Sequence, residues 1–286
     1  MIRLRSPLFA PGDSARKAEK ALAGPSDAVI LDLEDSVAPA SKDAARAMVA
    51  ALLPGLVRPG VVVRINPRGT PWYLADLAAI VAGAPVAVML PKCSGADDLA
   101  ALDHHLEALE TAAGLPVGGI GVLPIVTETA ASVLALPGMA AGARRVLAFC
   151  FGAEDLSADL GIDPRRPDLS YPAAVAAARA SVLMAAAAAG VPALDTPFPD
   201  PRNPEGLGRE AAEAAADGFA GKLCIHPDQV AAVNAAFTPD PARLAWAHKI
   251  AAAFAERPDA GVFSIDGKMI DRPHLKLAER IIAAAG

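Results

Sequence analysis

Aromatic residues and cysteines are scarce in this chain of 286 residues, with 4% Phe, Trp and Tyr and three cysteines. Cys93, Cys150 and Cys224 form no CxxC pair, which argues against a zinc or dithiol redox motif. Cys150 and Cys224 lie in apolar, strand-like runs, so we expect small reduced core residues. The length is enough for one large α/β domain or two small ones, and because 53% of the chain is hydrophobic but few of these residues are aromatic, we expect an aliphatic core.

An excess of positive charge and long apolar runs are also missing. The net charge is -6, and no basic face is evident, so we expect no nucleic-acid partner. No apolar run approaches the roughly 20 residues of a membrane helix, and the longest candidate is broken by Gly190 and Pro192. The N-terminus has no apolar signal core. We therefore expect a cytoplasmic protein without a membrane partner.

Nucleotide-binding and serine-hydrolase motifs are absent too: there is no G-x-G-x-x-G after the first strand, no P-loop and no G-x-S-x-G. Instead, short apolar runs alternate with helical segments. Continuous apolar strands separated by helices are typical of parallel strands buried on both faces, and eight such units predict a (β/α)8 TIM barrel. The predicted strands are 4–9, 27–33, 60–66, 86–91, 119–126, 145–152, 191–198 and 221–227. The predicted helices lie near 14–23, 41–53, 72–82, 95–113, 129–136, 172–189, 205–217 and 228–236.

The chain continues beyond the eighth unit. We predict a barrel domain over 1–238 and a C-terminal extension over 239–286. The extension contains a helix over about 240–256, a break at Pro258, a short extended piece and a closing helix. Because it is not needed to close a barrel, we expect it to act as a lid on its own active end or on that of a neighbouring subunit.

In a barrel of this kind, the functional side chains follow the C-terminal ends of the strands. Glu128 follows the fifth predicted strand, in VLPIVTE, and Asp155 follows the sixth, in FGAED. Two hard oxygen ligands that converge on one point suggest a divalent cation such as Mg2+. On spacing alone, both acids also fit the first turn of a helix, where the helix dipole favours negative charge.

Three more acids, Asp32, Glu34 and Asp35, follow the second strand, where buried carboxylates are costly without a cation. Arg64 lies in a β-branched run and is suited to bidentate recognition of a carboxylate from a substrate or from the protein. A structural pair between Asp32 and Arg64 is therefore one interpretation, and a functional cluster is the other.

Further polar residues stand at strand ends. Lys92 follows the fourth strand and would suit a Schiff base if burial lowered its pKa, or it is a solvated lysine. His226 is a metal-ligand candidate or a hydrogen-bonded residue at the end of the eighth strand. The remaining candidates at these ends are Asn66, Glu154 and Asp195.

Nine strings in register resemble the citrate lyase beta-subunit-like branch of the HpcH/HpaI aldolase superfamily. Each string is weak alone, but together they run in order over nearly the whole chain. They are LFAPG (8–12), DAVILDLEDSVAP (27–39), VVVRIN (61–66), LPK (90–92), VLPIVTET (122–129), FGAEDLSADLG (151–161), DTPFPD (195–200), GFAGKLCIHPDQV (218–230) and DGKMIDRPHLKLAERI (266–281).

The resemblance implies an Mg2+-dependent barrel enzyme that cleaves or forms a carbon–carbon bond beside a coenzyme A thioester. It assigns the metal to Glu128 and Asp155, and the substrate's carboxylate and oxygen to Arg64. It also places Asp271, on a C-terminal segment that covers a neighbour's site, in proton transfer. Members are usually trimers or hexamers.

The expected reaction converts a 3-hydroxyacyl-CoA with a carboxylate at C3, of the citramalyl-, malyl- or citryl-CoA type, into acetyl-CoA and a 2-oxo acid. The alternatives are a citrate lyase beta subunit acting on a carrier-bound substrate, a pyruvate-type Schiff-base aldolase, and a metal-stabilised barrel without catalysis. Glu154 is expected to contact the substrate together with the metal ligands. Asp32, Glu34 and Asp35 are expected to hold Arg64 and the metal-bound waters. Arg16, Lys17 and Lys20 are expected to bind the coenzyme A phosphates.

Overall fold

The computed structural model describes residues 2–56, 60–257 and 261–285. The chain divides into two compact units, Met1–Asn234 and Ala235–Gly286. The domain boundary predicted after residue 238 lies just beyond this division. Over the described residues, no helix is both long and apolar enough to cross a membrane.

The first unit alternates parallel strands with helices, as the apolar periodicity predicts. Its strands are β1 (Pro7–Pro11), β2 (Ala28–Asp32), β3 (Val61–Arg64), β4 (Ala87–Leu90), β5 (Gly121–Pro124), β6 (Phe149–Cys150), β7 (Ala193–Asp195) and β8 (Gly221–Lys222). Its helices are α1 (Ala15–Leu22), α2 (Lys42–Leu52), α3 (Tyr73–Ile80), α4 (Ala96–Ala112), α5 (Ala130–Ala141), α6 (Glu154–Leu160), α7 (Ala173–Ala189), α8 (Pro204–Asp217) and most of α9 (Val230–Ala236), whose last two residues belong to the second unit.

The strands follow one another around a ring. β1 to β5 form one parallel sheet in chain order, and β6 to β8 form a second. Isolated parallel bridges join the sheets at Ile125–Cys150 on one side and at Leu8–Cys224 on the other. The predicted (β/α)8 barrel fold is therefore confirmed, although its ladders are continuous only over five and three strands.

Aliphatic side chains fill the interior of the barrel. Alternate residues of neighbouring strands, such as Ile30, Met89 and Leu123, are fully buried in one cluster, and the residues between them face the helices. Cys150 belongs to this cluster, and Cys93 and Cys224 are also buried and free. The cysteines are small core residues, as the sequence indicated.

Two helices differ from the prediction. α6 was not predicted, because its seven residues bury only Leu156 and Ser157 and so show no apolar stripe. α5 was predicted to end near residue 136, but it continues through Pro137 to Ala141. Pro137 removes one internal hydrogen bond and its ring crowds the carbonyl four residues earlier, but the helix does not end there.

The second unit contains α10 (Pro241–Glu256), β9 (Val262–Ile265), β10 (Lys268–Asp271) and α11 (Arg272–Ala285). β9 and β10 pair antiparallel through a turn in which Asp266 and Gly267 both have positive φ, the requirement of a type I′ turn. The two helices pack around a small core with Phe254 and Ile270. Pro258, where a helix break was predicted, lies outside the described residues.

Candidate active site

Charged side chains from five strands converge at the C-terminal end of the barrel. Asp32 and Arg64 are the last residues of β2 and β3, and Asp155 lies in the first turn of α6 after β6. A cavity of about 300 Å³ lies among them, lined also by Glu128 and by apolar side chains that include Phe151. The parallel strands bring these residues together because all their carboxyl ends lie at one end of the barrel.

The Arg64 guanidinium is held on two sides by carboxylates. Its Nε and Nη2 donate to the two oxygens of Asp32, each at 2.7 Å, and its Nη1 lies 2.9 Å from Glu34 Oε2. The ring of Phe9 lies 4.7 Å from the guanidinium carbon. Burial lowers the pKa of Arg64, but the hydrogen bonds and charge of Asp32 outweigh burial and leave the pKa above its ordinary value, so the side chain stays positive. The Asp32–Arg64 pair considered from the sequence is present.

Glu128 is almost completely buried, with 4% of its surface exposed. The backbone N–H of Lys92 donates to its Oε2. Burial raises the pKa of Glu128 to about 8; the Lys92 amide opposes this, and the charges of Glu34 and Asp155 add to it. The Glu128 carboxylate therefore lacks a sufficient positive partner among the described protein groups.

Lys92 lies between acids rather than in an apolar pocket. Its Nζ donates to Glu34 Oε1 and lies 3.6 Å from Asp35 and 3.8 Å from Asp155. Burial lowers the pKa of Lys92, but the hydrogen bond and charge of Glu34 outweigh burial and leave the pKa raised. A Schiff-base lysine must be a neutral amine when it attacks, so this environment argues against that role.

The donor set fits a divalent cation. Five carboxylates meet here: Asp32, Glu34, Asp35, Glu128 and Asp155. Arg64 and Lys92 contact them directly, and the Lys42 ammonium lies close enough to interact with Asp32, Glu34 and Asp35, which leaves two negative charges if all groups are ionised. Glu34 Oε2 is buried and accepts no well-aligned hydrogen bond from the described residues. Within those residues, no three His, Cys, Asp or Glu side chains form a complete cage. Mg2+ characteristically takes one or two carboxylates and keeps several waters.

Four other strand-end candidates have structural partners. Glu154 lines the cavity, but its Oε1 accepts a hydrogen bond of 2.8 Å from Arg165. Asp195 is fully buried and pairs with Arg179 Nε and Lys222 Nζ. The His226 side chain accepts a hydrogen bond from the backbone of Asp228, in agreement with the strand-end interpretation. Asn66 donates to Asp76 and to the carbonyl of Leu33.

The remaining predicted residues lie outside this cluster. Arg16, Lys17 and Lys20 are exposed on α1 and do not line the cavity. Asp271 belongs to the second unit, where its Oδ1 lies 2.5 Å from His274 Nδ1. Their proposed roles in coenzyme A binding and proton transfer stay predictions.

Sequence reasoning missed two buried lysines. Lys42 donates to the carbonyls of Leu33 at 2.8 Å and Glu34 at 2.7 Å, and so holds the acidic loop after β2. Lys222 is completely buried between Asp195 and Glu210. Lys222 stands inside the predicted strand 221–227, and a charge in an apolar strand was a signal that acidic partners had to be near.

At the C-terminal end of this (β/α)8 barrel, an arginine lies beside several carboxylates whose negative charge exceeds the positive charge around them. This arrangement is typical of metal-dependent barrel enzymes. Residues 5–227 match the model of the HpcH/HpaI aldolase/citrate lyase family, and the chain belongs to that family.

Known proteins resemble the chain over nearly its full length. The citrate lyase subunit beta-like protein of Mycobacterium tuberculosis is 39% identical over 98% of this chain and 94% of its own length. The mitochondrial citramalyl-CoA lyase of Rattus norvegicus is 32% identical over 98% of this chain and 86% of its own. The crystal structure of CitE from M. tuberculosis with magnesium, acetoacetate and coenzyme A is 37% identical, covers 99% of this chain and 98% of that one, and has a TM-score of 0.77.

Proposed function

We propose that the protein is a Mg2+-dependent carbon–carbon lyase that cleaves or forms a 3-hydroxyacyl-CoA with a C3 carboxylate, with acetyl-CoA and a 2-oxo acid as the other partners. The observation that carries the proposal is the placement of Arg64 beside Glu128 and Asp155 around one cavity. The similarity to a citramalyl-CoA lyase and to a structure with magnesium and coenzyme A supports it.

Glu128 and Asp155 are the residues that would hold the metal. Both present carboxylate oxygens to the cavity, and Glu128 is kept in place by the Lys92 amide. When bound, Mg2+ supplies positive charge at the substrate's hydroxyl and carboxylate oxygens.

Arg64 provides a fixed positive charge where negative charge develops on the substrate oxygen. Two hydrogen bonds to Asp32 fix the plane of its guanidinium, and Glu34 borders the third nitrogen. A charge that is already oriented needs no reorganisation during the reaction, which is the basis of electrostatic catalysis. Arg64 would therefore both bind the substrate's carboxylate and stabilise the developing oxyanion.

A proton must leave the hydroxyl group in cleavage and reach the carbon of the acetyl-CoA enolate. Asp271, supplied by the second unit of the same chain or of a neighbour, is the proposed group for the carbon. This role requires a homo-oligomer, a trimer or hexamer, if the neighbour supplies it. Arg16, Lys17 and Lys20 are proposed to meet the coenzyme A phosphates, and the cytoplasm is the proposed location.

Activity of purified Glu128→Gln and Asp155→Asn variants tests this function. With Mg2+ and a panel of citramalyl-, malyl- and citryl-CoA, we expect the wild type to release acetyl-CoA and each variant to lose about a hundredfold or more in kcat. Glu107→Gln, at an exposed acid of α4, is the matched control and should retain activity. Full activity in either site variant would exclude that residue as an essential ligand, and no cleavage by the wild type would refute the function.

A citrate lyase beta subunit that receives its acyl group on a carrier protein is the second candidate, favoured by the similarity to a citrate lyase subunit beta-like protein. The free chain would then turn over carrier-bound substrate but not the coenzyme A esters. Comparing the two substrate forms on the same preparation separates the candidates.

A further inference from the structure

Lys92 makes two separate contributions to the acidic cluster, one through its backbone and one through its side chain. We propose that its ammonium group tunes the affinity of the site for divalent cations, because it supplies the charge that an incoming ion replaces. The inference rests on the proposed function, since it takes Glu128 and Asp155 as the ion's ligands.

The backbone contribution does not depend on the side chain. Lys92 has φ of 50°, in the left-handed region that non-glycine residues rarely occupy. In this conformation its N–H donates to Glu128 Oε2. Any residue other than proline at this position keeps the N–H, so a change of side chain leaves the donor to Glu128 in place.

The ammonium group reaches acids that follow two other strands. Lys92 follows β4, and its Nζ donates to Glu34 Oε1 in the loop after β2. The same nitrogen lies 3.8 Å from Asp155 Oδ1 in the first turn of α6. The side chain is 36% exposed, so it reaches these acids from the solvent side of the cluster.

Lys92 alone among the described cations lies within 4.0 Å of the Asp155 carboxylate. Arg64 pairs with Asp32 and Glu34, and no ion pair joins it to Asp155 among the described residues. An ion that binds Asp155 therefore meets the Lys92 charge beside its own ligand, and like charges at this separation repel. Removing the ammonium should strengthen divalent binding, and keeping a charge of another shape should not.

Calorimetric titration of metal-stripped, full-length protein with MgCl2, repeated with MnCl2 and electron paramagnetic resonance, measures this affinity without any turnover. We expect Lys92→Met to lower the dissociation constant about tenfold or more, and Lys92→Arg to leave it within about threefold of the wild type. Lys92→Gln, which keeps a polar side chain without charge, is the second neutral variant if the methionine variant does not fold. Glu128→Gln and Asp155→Asn locate the titrated ion.

An unchanged or raised dissociation constant in a folded neutral variant would overturn the proposal. Equal tightening in Lys92→Arg would also overturn it, because charge would then not be the cause. If the wild type binds no divalent cation, or if Glu128→Gln and Asp155→Asn bind it normally, the proposed metal site fails and the inference fails with it. A wild type that binds at Glu128 and Asp155 with no effect of Lys92 contradicts the inference alone.

Discussion

At the residue scale, the Arg5–Asp27 ion pair joins the two segments that lead into β1 and β2. Arg5 Nε and Nη2 donate to the two Asp27 oxygens, each at 2.8 Å, and the Arg5 N–H donates at 3.0 Å. Burial raises the pKa of Asp27, but the hydrogen bonds and charge of Arg5 outweigh it, and the pKa lies below its ordinary value. The pair therefore stabilises the fold above the unfolded pKa of Asp27, and this contribution disappears as the pH falls through the lower, folded pKa.

Asp27→Asn should reduce the free energy of unfolding by about 2 kcal/mol at pH 7, because charged hydrogen bonds are lost. The deficit relative to the wild type should shrink as the pH falls from about 4 toward the lower folded pKa, because the wild-type carboxyl then takes up a proton, first in the unfolded chain and at lower pH in the folded one. Urea unfolding from pH 7 to 3 measures both effects. Asp163→Asn, at an exposed acid, should change little; a deficit independent of pH would contradict the electrostatic cause.

The sequence predicted the partners of some charged residues but not of others. The Asp32–Arg64 pair was accessible because both residues end neighbouring strands, and strand order fixes their distance. The environment of Lys92 could not be predicted, because it depends on a left-handed backbone and on the loop carrying Glu34. Neither feature has a periodic signature in the sequence.

At the element scale, α5 begins directly after Glu128, so its first turn bears on the site. Thr129 Oγ1 accepts the Ser132 N–H, and Ser132 Oγ accepts the Thr129 N–H, each at 3.1 Å. This reciprocal capping box satisfies amides that the helix itself leaves unpaired.

Thr129→Ala should lower the free energy of unfolding by about 1 kcal/mol, the usual effect of losing a helix cap. Denaturant unfolding at pH 7 measures it. Thr111→Ala, in the last turn of α4, is the matched control, because within the described residues its hydroxyl donates to the Glu107 carbonyl and caps no helix. Equal losses in both variants would show that the cap has no special effect.

The elements themselves were largely predictable, because apolar periodicity is a local property. Eight strands alternating with helices appear where the runs indicated them. The failures have local causes as well: α6 is too short to show an apolar stripe, and Pro137 is a helix breaker that α5 tolerates.

At the scale of the whole molecule, Gly221 is where the last strand meets the first. A Cβ at Gly221 would lie 1.9 Å from the carbonyl oxygen of Leu4 and 2.7 Å from that of Arg5. The next residue, Lys222, donates its N–H to the same Arg5 carbonyl at 2.8 Å. The closure of the barrel therefore depends on a close approach of two backbone segments that no residue other than glycine permits.

Gly221→Ala should destabilise the protein by about 3 kcal/mol or more, because backbone atoms must move apart and the ring must open. Gly208→Ala in α8 is the matched control: among the described residues, no atom outside the backbone of its own helix lies within 4 Å of that Cβ, so the variant should gain up to about 1 kcal/mol from helix propensity. Chemical denaturation compares them. A Gly221→Ala protein as stable as the wild type would mean that the closing strands are not tightly coupled.

The reactivity of the three buried cysteines can report when and where the barrel opens. Burial raises the pKa of the Cys93 and Cys224 thiols to about 12 and that of Cys150 further, so almost none of the reactive thiolate exists in the closed state. Alkylation must therefore wait until the surrounding structure separates. Because the thiols follow β4, lie in β6 and follow β8, the order of their labelling distinguishes a ring that opens at one seam from a ring that opens all at once.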